Sequence, residues 1–183
     1  MLRAVIFDID GTLVDSVEAH AHAWQQAFQK YGKKVPLEEV RKQIGKGSDQ
    51  LLPVFFSAEQ IERFGKDMED FRANLFRREL LPHVRPFPRV RELLLRIHGD
   101  DRKIALASSG SKEDMNHYKR LLNVEDLAEE GSSGDDVGRS KPQPDIFARA
   151  LKDLKLAAHE ALAVGDTPYD AVAANKVHLR TSA

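Results

Sequence analysis

The sequence predicts an α/β fold: a doubly wound parallel sheet into which an all-helical segment is inserted. Three observations lead there. Short apolar runs at residues 4–7, 104–107 and 161–164 have the length and continuity of strands buried on both faces. From Val90 onward such runs alternate with helical spacing, the rhythm of parallel strands joined by crossover helices. Between residues 16 and 83 there is helical spacing alone. The expected division is a discontinuous α/β core, residues 1–15 and 84–183, and a helical insertion, residues 16–83.

The elements follow in order. Ala4-Val5-Ile6-Phe7 is the first strand. Residues 17–30 are helical, with Ala23, Trp24, Ala27 and Phe28 on one face, and Gly32 stops the helix. Pro36 opens a second helix, with Glu38 and Glu39 suiting its first turn. Gly45-Lys46-Gly47-Ser48 breaks the chain, and Ser48 is placed to cap the helix that follows. Ser57 caps another, running to about Glu79. Pro82, Pro86 and Pro88 punctuate the return to the core. A helix over 90–97 leads to the strand at 103–107, and a helix runs from Ser111 past Leu121. After the turn-rich residues 131–135 comes a helix over 144–154, with Ile146, Phe147, Ala150, Leu151 and Leu154 apolar. The strand at 161–164, a helix over 170–176 and a last strand at 177–179 complete the chain.

Composition narrows the function. With 28 Lys and Arg against 29 Asp and Glu, the formal net charge is −1, which argues against a nucleic-acid or membrane-surface partner. There is no cysteine, so disulfides, thiolate nucleophiles and Cys-ligated zinc are excluded. No apolar run reaches membrane-spanning length, and the first residues already supply a core strand. Neither a span nor a leader peptide is expected, and the expected location is the cytoplasm. The expected state is a monomer or weak homodimer.

Chemistry concentrates in Phe7-Asp8-Ile9-Asp10-Gly11-Thr12-Leu13-Val14-Asp15-Ser16. Two acids sit two residues apart where an apolar strand gives way to a turn. Alternation along a strand predicts that Asp8 and Asp10 face one pocket. Ligands bind at that carboxyl end of an open α/β sheet. Adjacent carboxylates repel, and a divalent cation relieves them.

This segment resembles the first motif, D-x-D-G-T-x-x-D-S, of the haloacid dehalogenase superfamily of phosphohydrolases. The resemblance continues in family order through the Ser-ending run Ile104-Ala105-Leu106-Ala107-Ser108-Ser109, the Lys of Arg139-Ser140-Lys141-Pro142, and Gly165-Asp166-Thr167-Pro168-Tyr169-Asp170. It implies a Rossmann-like core under a helical cap, the subclass that includes phosphoglycolate phosphatase and β-phosphoglucomutase. The implied activity is Mg²⁺-dependent hydrolysis of a small phosphorylated metabolite through an aspartyl-phosphate. Asp8 would be the nucleophile and Asp10 the general acid–base, with a pKa raised in the closed site. In the family the second Asp also ligates metal through its backbone carbonyl. Thr12 would orient Asp10, while Asp15 and Ser16 would end the loop and cap the next helix. Ser108 would donate to the phosphoryl oxygens, Ser109 would lie at an anion site where a helix begins, and Lys141 would neutralise phosphate and Asp8 together. Asp8, Asp10 and Asp166 fit a hard, oxygen-preferring Mg²⁺, with Asp170 a further ligand or a helix-start acid.

The histidines form no zinc set. His20, near the start of the cap, is expected to face the cleft; with Trp24 it echoes the cap of β-phosphoglucomutase. Substrate selection is assigned to the cap, first to Lys46 in its Gly-flanked loop and next to His20. Relatives of this plan usually continue past the position of Lys176 and often carry Gly where Asn175-Lys176 stand. The expectation is that any resulting loss falls on stability before chemistry. Two other readings are a phosphomutase, which needs cationic cap groups and meets Asp49 instead, and a non-catalytic binding protein of the same fold.

Overall fold

The computed structural model describes residues 1–128 and 131–182. Four parallel strands form the main sheet: β1 (Ala4–Phe7), β4 (Lys103–Leu106), β5 (Ala161–Val164) and β6 (Arg180–Ser182), in the order β4-β1-β5-β6. β1 is central. Its register sets Ala4 beside Lys103 on one side and Ala161 on the other.

Alternation along β1 divides the core in two. Val5 and Phe7 pack with Leu94, Met115, Tyr118 and Leu122 of helices α5 (Val90–Gly99) and α6 (Lys112–Leu122). Ala4 and Ile6 pack with Phe147, Leu151, Ala173 and Ala174 of α7 (Asp145–Leu154) and α8 (Pro168–Asn175). Helices cover both faces, which is why the strand is apolar throughout. Each large side chain so buried contributes roughly 1.5–3 kcal/mol.

The insertion has an apolar cluster of its own. Helices α1 (Val17–Lys30), α2 (Leu37–Arg41), α3 (Ser48–Phe55) and α4 (Ala58–Leu75) bury Trp24, Phe28, Val40, Leu51, Leu52 and Met68 together. Ser57 caps α4 in a reciprocal capping box with Gln60. The chain leaves and re-enters the core through β2 (Val14–Asp15) and β3 (Arg85–Pro86), which pair antiparallel. The two crossing points are thus one hydrogen-bonded ribbon. Among the described residues no helix is long and apolar enough to cross a membrane.

Four details differ from the sequence reading. The helix expected to reach Glu79 is α-helical only to Leu75 and then widens into a π-turn at Phe76–Leu80. Ser48 is the first residue of α3 rather than its cap; Gly47 holds the cap position. α8 starts at Pro168, capped by Thr167, so Asp170 lies inside its first turn. The last strand is Arg180–Ser182, not 177–179, because His178 turns left-handed at φ 57° and Leu179 drops into the core.

Candidate active site

Asp8 is the first residue beyond β1. Its N–H donates to the Val164 carbonyl at 2.8 Å, which pins it at the carboxyl end of the sheet. Its buried carboxylate is hydrogen-bonded through Oδ1 to Lys141 Nζ, and Oδ2 accepts from Thr12 Oγ1 at 3.2 Å. Lys141 is fully buried. Its ammonium also lies 2.7 Å from Asp170 Oδ1 and 5.5 Å from the ring centre of Phe147. Lys141 lies in the loop before α7, and its bond to Pro142 is cis. Asp170 serves two purposes. Oδ2 accepts from Thr167 N at 3.1 Å and Thr167 Oγ1 at 2.6 Å, closing the cap of α8, while Oδ1 faces Lys141.

Asp166 is exposed and accepts from Thr12 Oγ1 at 3.2 Å. Oxygens of Asp8, Asp166 and Asp170 all lie within 4.8 Å of one another. This donor set is carboxylate only, with neither sulfur nor imidazole, and it suits a hard cation such as Mg²⁺. Electrostatics agree. Burial pushes the Asp8 carboxyl up to about 8, assisted by Asp170 and Asp10 and opposed by Lys141. Burial and Asp170 also raise Asp166. Burial opposes the charge on Lys141, but Asp8 and Asp170 outweigh it and hold the ammonium above its usual range. Three carboxylates meet one ammonium, and a divalent cation would offset the excess negative charge.

Two glycines make this convergence sterically possible. Gly11 has φ +87°, and a Cβ there would stand 2.8 Å from Asp166 Cγ and from Val17 Cγ2. At Gly165 a Cβ would stand 2.5 Å from Asp170 Cγ. Gly11→Ala is expected to destabilise the fold by about 1–3 kcal/mol and to displace Asp166, lowering kcat at least ~10-fold. Thermal melts and steady-state kinetics check it; wild-type values in both would mean the turn tolerates a side chain.

Asp10 points elsewhere. Its Oδ1 accepts from Ser16 Oγ at 2.6 Å and lies 2.9 Å from His20 Nε2; Ser108 Oγ is 3.5 Å from Oδ2. The side chain does not share the three-carboxylate cluster, although Asp8 and Asp10 line the same cavity. The two carboxylates thus reach one cavity, as alternation predicts, and meet different partners there. The expected rise in its pKa is not found. Burial pushes upward, but His20, Ser16 and Tyr118 override it and hold the Asp10 carboxyl below the ordinary carboxylate range. Thr12 meets Asp8 and Asp166 rather than Asp10, and Ser16 performs the orienting instead. His20 is stacked on Phe76, ring centres 4.0 Å apart, and lies 3.3 Å from Tyr118 Oη. The π-turn at the end of α4 brings Phe76 there.

Ser108 is buried at the end of β4, where its Oγ accepts from Gly110 N at 3.0 Å. Ser111 is the N-cap of α6, accepting from Asp114 N at 3.1 Å. Ser109 reaches across to the insertion, donating to the Gly45 carbonyl at 3.1 Å. Further bonds join the same loop to the core. Gly47 N donates to Ser140 Oγ at 2.9 Å, Ser140 N and Oγ both donate to Asp49, and Tyr169 Oη donates to the Lys42 carbonyl at 2.6 Å. Lys46 donates to Gln43 Oε1 at 2.5 Å and sits 4.7 Å from the ring centre of Tyr169.

Between insertion and core lies a cavity of about 410 Å³. Asp8, Asp10, His20, Lys46 and Ser109 line it, so the structure brings these sequence candidates to one space. Lys141, Asp166 and Asp170 gather behind Asp8. The sequence reading missed Ser16, Tyr118, Arg72 and Arg77 as cavity or Asp10 neighbours. Only Ser16 carried a signal, as the last residue of the first motif.

A family model described as haloacid dehalogenase-like hydrolase matches residues 5–183. Phosphoglycolate phosphatase of Aliivibrio fischeri is 30% identical over 182 residues, covering 94% of this chain and 79% of its own. The phosphorylated carbohydrates phosphatase of Thermotoga maritima is 28% identical over 170 residues, covering 91% and 77%. A solved hydrolase from Pseudomonas syringae superposes with a TM-score of 0.88 at 26% identity, covering 99% of this chain and 83% of that one.

Proposed function

The chain belongs to the haloacid dehalogenase-like hydrolases and is a phosphohydrolase of that family, and we propose that it hydrolyses small organic phosphate monoesters through an aspartyl-phosphate on Asp8, with Mg²⁺ as cofactor. One observation supports this above the others: a buried carboxylate at a strand end held by a fully buried lysine, with two further carboxylates in reach.

In this reading Asp8, Asp166 and Asp170 hold the cation. The bound cation supplies neutralisation of the phosphoryl charge and lets an anionic nucleophile approach an anionic substrate. The resemblance adds the main-chain carbonyl of Asp10 as a ligand. A carboxylate oxygen of Asp8 attacks phosphorus, and the bond from phosphorus to the ester oxygen breaks. Lys141 and Thr12 fix the orientation of Asp8, and Lys141 balances charge. Ser108 Oγ and the main-chain N–H of Ser109 donate to phosphoryl oxygens.

The departing alcohol oxygen takes its proton from the Asp10–His20 pair, which shares one hydrogen bond at 2.9 Å. Water then attacks phosphorus and gives a proton back to that pair. The bond between Asp8 and phosphorus breaks, and inorganic phosphate leaves. The insertion excludes bulk water while its loop is bound to Ser109 and Ser140.

Asp49 favours hydrolysis over phosphoryl return to a sugar. At the start of α3, where a basic residue would help a phosphomutase grip a second phosphate, stands Asp49, bonded to Ser140. The test is a panel of phosphate monoesters assayed with and without Mg²⁺. Phosphate release from some members, only with the metal, is expected. No release from any member would overturn the reading.

A further inference from the structure

Lys141 sits beside Asp8 on the loop that precedes α7, and one residue earlier that loop is gripped from the insertion. Ser140 N donates to Asp49 Oδ2 at 3.1 Å, Ser140 Oγ donates to Asp49 Oδ1, and Gly47 N donates to Ser140 Oγ at 2.9 Å. Apart from the Lys141 carbonyl, 3.5 Å from Oγ, every partner of Ser140 N and Oγ among the described residues lies in the insertion. Ser140 is buried, and a buried amide and hydroxyl need those bonds.

The insertion is shaped for this seat. At Gly47 a Cβ would stand 2.5 Å from Ser140 Cβ, closer than two side chains approach. At Gly45, which has φ +101°, a Cβ would stand 2.9 Å from Thr167 Cγ2. Both glycines are close-approach points, one on the Lys141 loop and the other on the residue that caps α8 together with Asp170. Two bonds to one charged carboxylate make the Asp49 contact strong. Asp49 itself is exposed, so leaving the seat strands no buried charge, and the contact is reversible.

A backbone shift at Ser140 passes to Lys141, the next residue, whose ammonium must meet Asp8 and Asp170 together. Misplacing a catalytic group by about an ångström lowers the rate by up to about 100-fold. We propose that Asp49 is a positioning residue: from the insertion it holds Ser140, and through Ser140 it places the Lys141 ammonium on Asp8. The site is then complete only while the insertion is seated. This rests on the phosphatase reading and deepens it, adding a residue that acts on every substrate alike.

The test uses the full chain with Mg²⁺ and several phosphate monoesters of unlike alcohol portions. Asp49→Ala is expected to lower kcat about 20-fold on every ester and to change KM under about 3-fold, because the phosphoryl end and not the alcohol is affected. Asp49→Asn keeps one acceptor oxygen and should fall between; its equal loss on all esters carries the test if the Ala variant melts early. Gly47→Ala forces the same contact apart with Asp49 in place, and should lose kcat in the same ester-independent way. In a Ser140→Ala background, Asp49→Ala should lower kcat under about 5-fold, as two partners in one contact require. A loss under about 5-fold for Asp49→Ala in the wild-type background, a loss whose size changes from ester to ester, or full additivity with Ser140→Ala overturns the proposal.

If no ester is turned over, the phosphatase reading fails first, and a distance still decides the contact. The chain has no cysteine, so Val54→Cys on α3 and Val172→Cys on α8, both exposed positions, take one spin label each. With Asp49 intact the labelled pair should give one dominant distance, and adding Asp49→Ala should bring in a longer one. Identical distance distributions overturn the inference.

Discussion

Asp8→Asn is expected to abolish turnover, with kcat falling on the order of 10⁴-fold or more while the fold persists. The amide is isosteric but cannot attack phosphorus or carry the charge a metal requires. Lys141 keeps Asp170 as a partner at 2.7 Å, so the variant does not strand a buried ammonium. The pH dependence gives a second readout. Burial places the Asp8 carboxyl at about 8 in the folded, metal-free protein, against 3.8 for an unperturbed group. A carboxyl raised by folding favours the folded state while protonated. Its contribution is full below about pH 4 and is lost as pH rises through about 8. In a chelator, Asp8→Asn should therefore be more stable than wild type at pH 8, on the order of a few kcal/mol, and nearly equal at pH 4. Denaturant melts at the two pH values check this. A variant less stable at pH 8 would contradict the electrostatic account of the site.

Chelation should remove activity with an effect of similar size. Without a cation, three carboxylates face a phosphate dianion with one ammonium between them. Mg²⁺ should restore turnover, and Ca²⁺ should restore little of it. Ca²⁺ takes more ligands at longer distances, which misplaces a nucleophile that must be held to a fraction of an ångström. Chelated protein assayed with each ion decides it. Equal rates in Ca²⁺ and Mg²⁺ would count against a tight octahedral site at Asp8, Asp166 and Asp170.

Much of the core was legible because its signals are local. Strands buried on both faces read as apolar runs, and polar groups at their ends mark the ligand edge. The limits are also physical. Asp8 and Asp10 line one cavity as the two-residue alternation predicts, yet Asp10 is engaged there by Ser16 and His20, partners that alternation does not name. Val177-His178-Leu179 has strand-like composition, yet the edge strand is the exposed Arg180–Ser182, which pairs parallel with β5. Arg72 carried no signal. In a long amphipathic helix a polar residue reads as solvent-facing, and only the packing of α4 beside Trp24 turns it inward.

The cap loop shows the same dependence on tertiary structure. Lys46 was the expected reader of substrate, and it does line the cavity. Its ammonium is engaged by Gln43 and Tyr169, while its neighbours Gly45, Gly47 and Asp49 fasten the loop to Ser109 and Ser140. Bonds 64 to 93 residues apart in sequence leave no periodic trace.

The covalent intermediate is the most direct test of the mechanism. In a single turnover with Mg²⁺ and a phosphate-labelled monoester, acid quenching should trap label on the protein before inorganic phosphate accumulates. The label should be acid-stable, released by hydroxylamine, and confined to the peptide containing Asp8, as an acyl phosphate requires. Full turnover with no protein-bound label at any time, or label on a residue other than Asp8, would contradict the account.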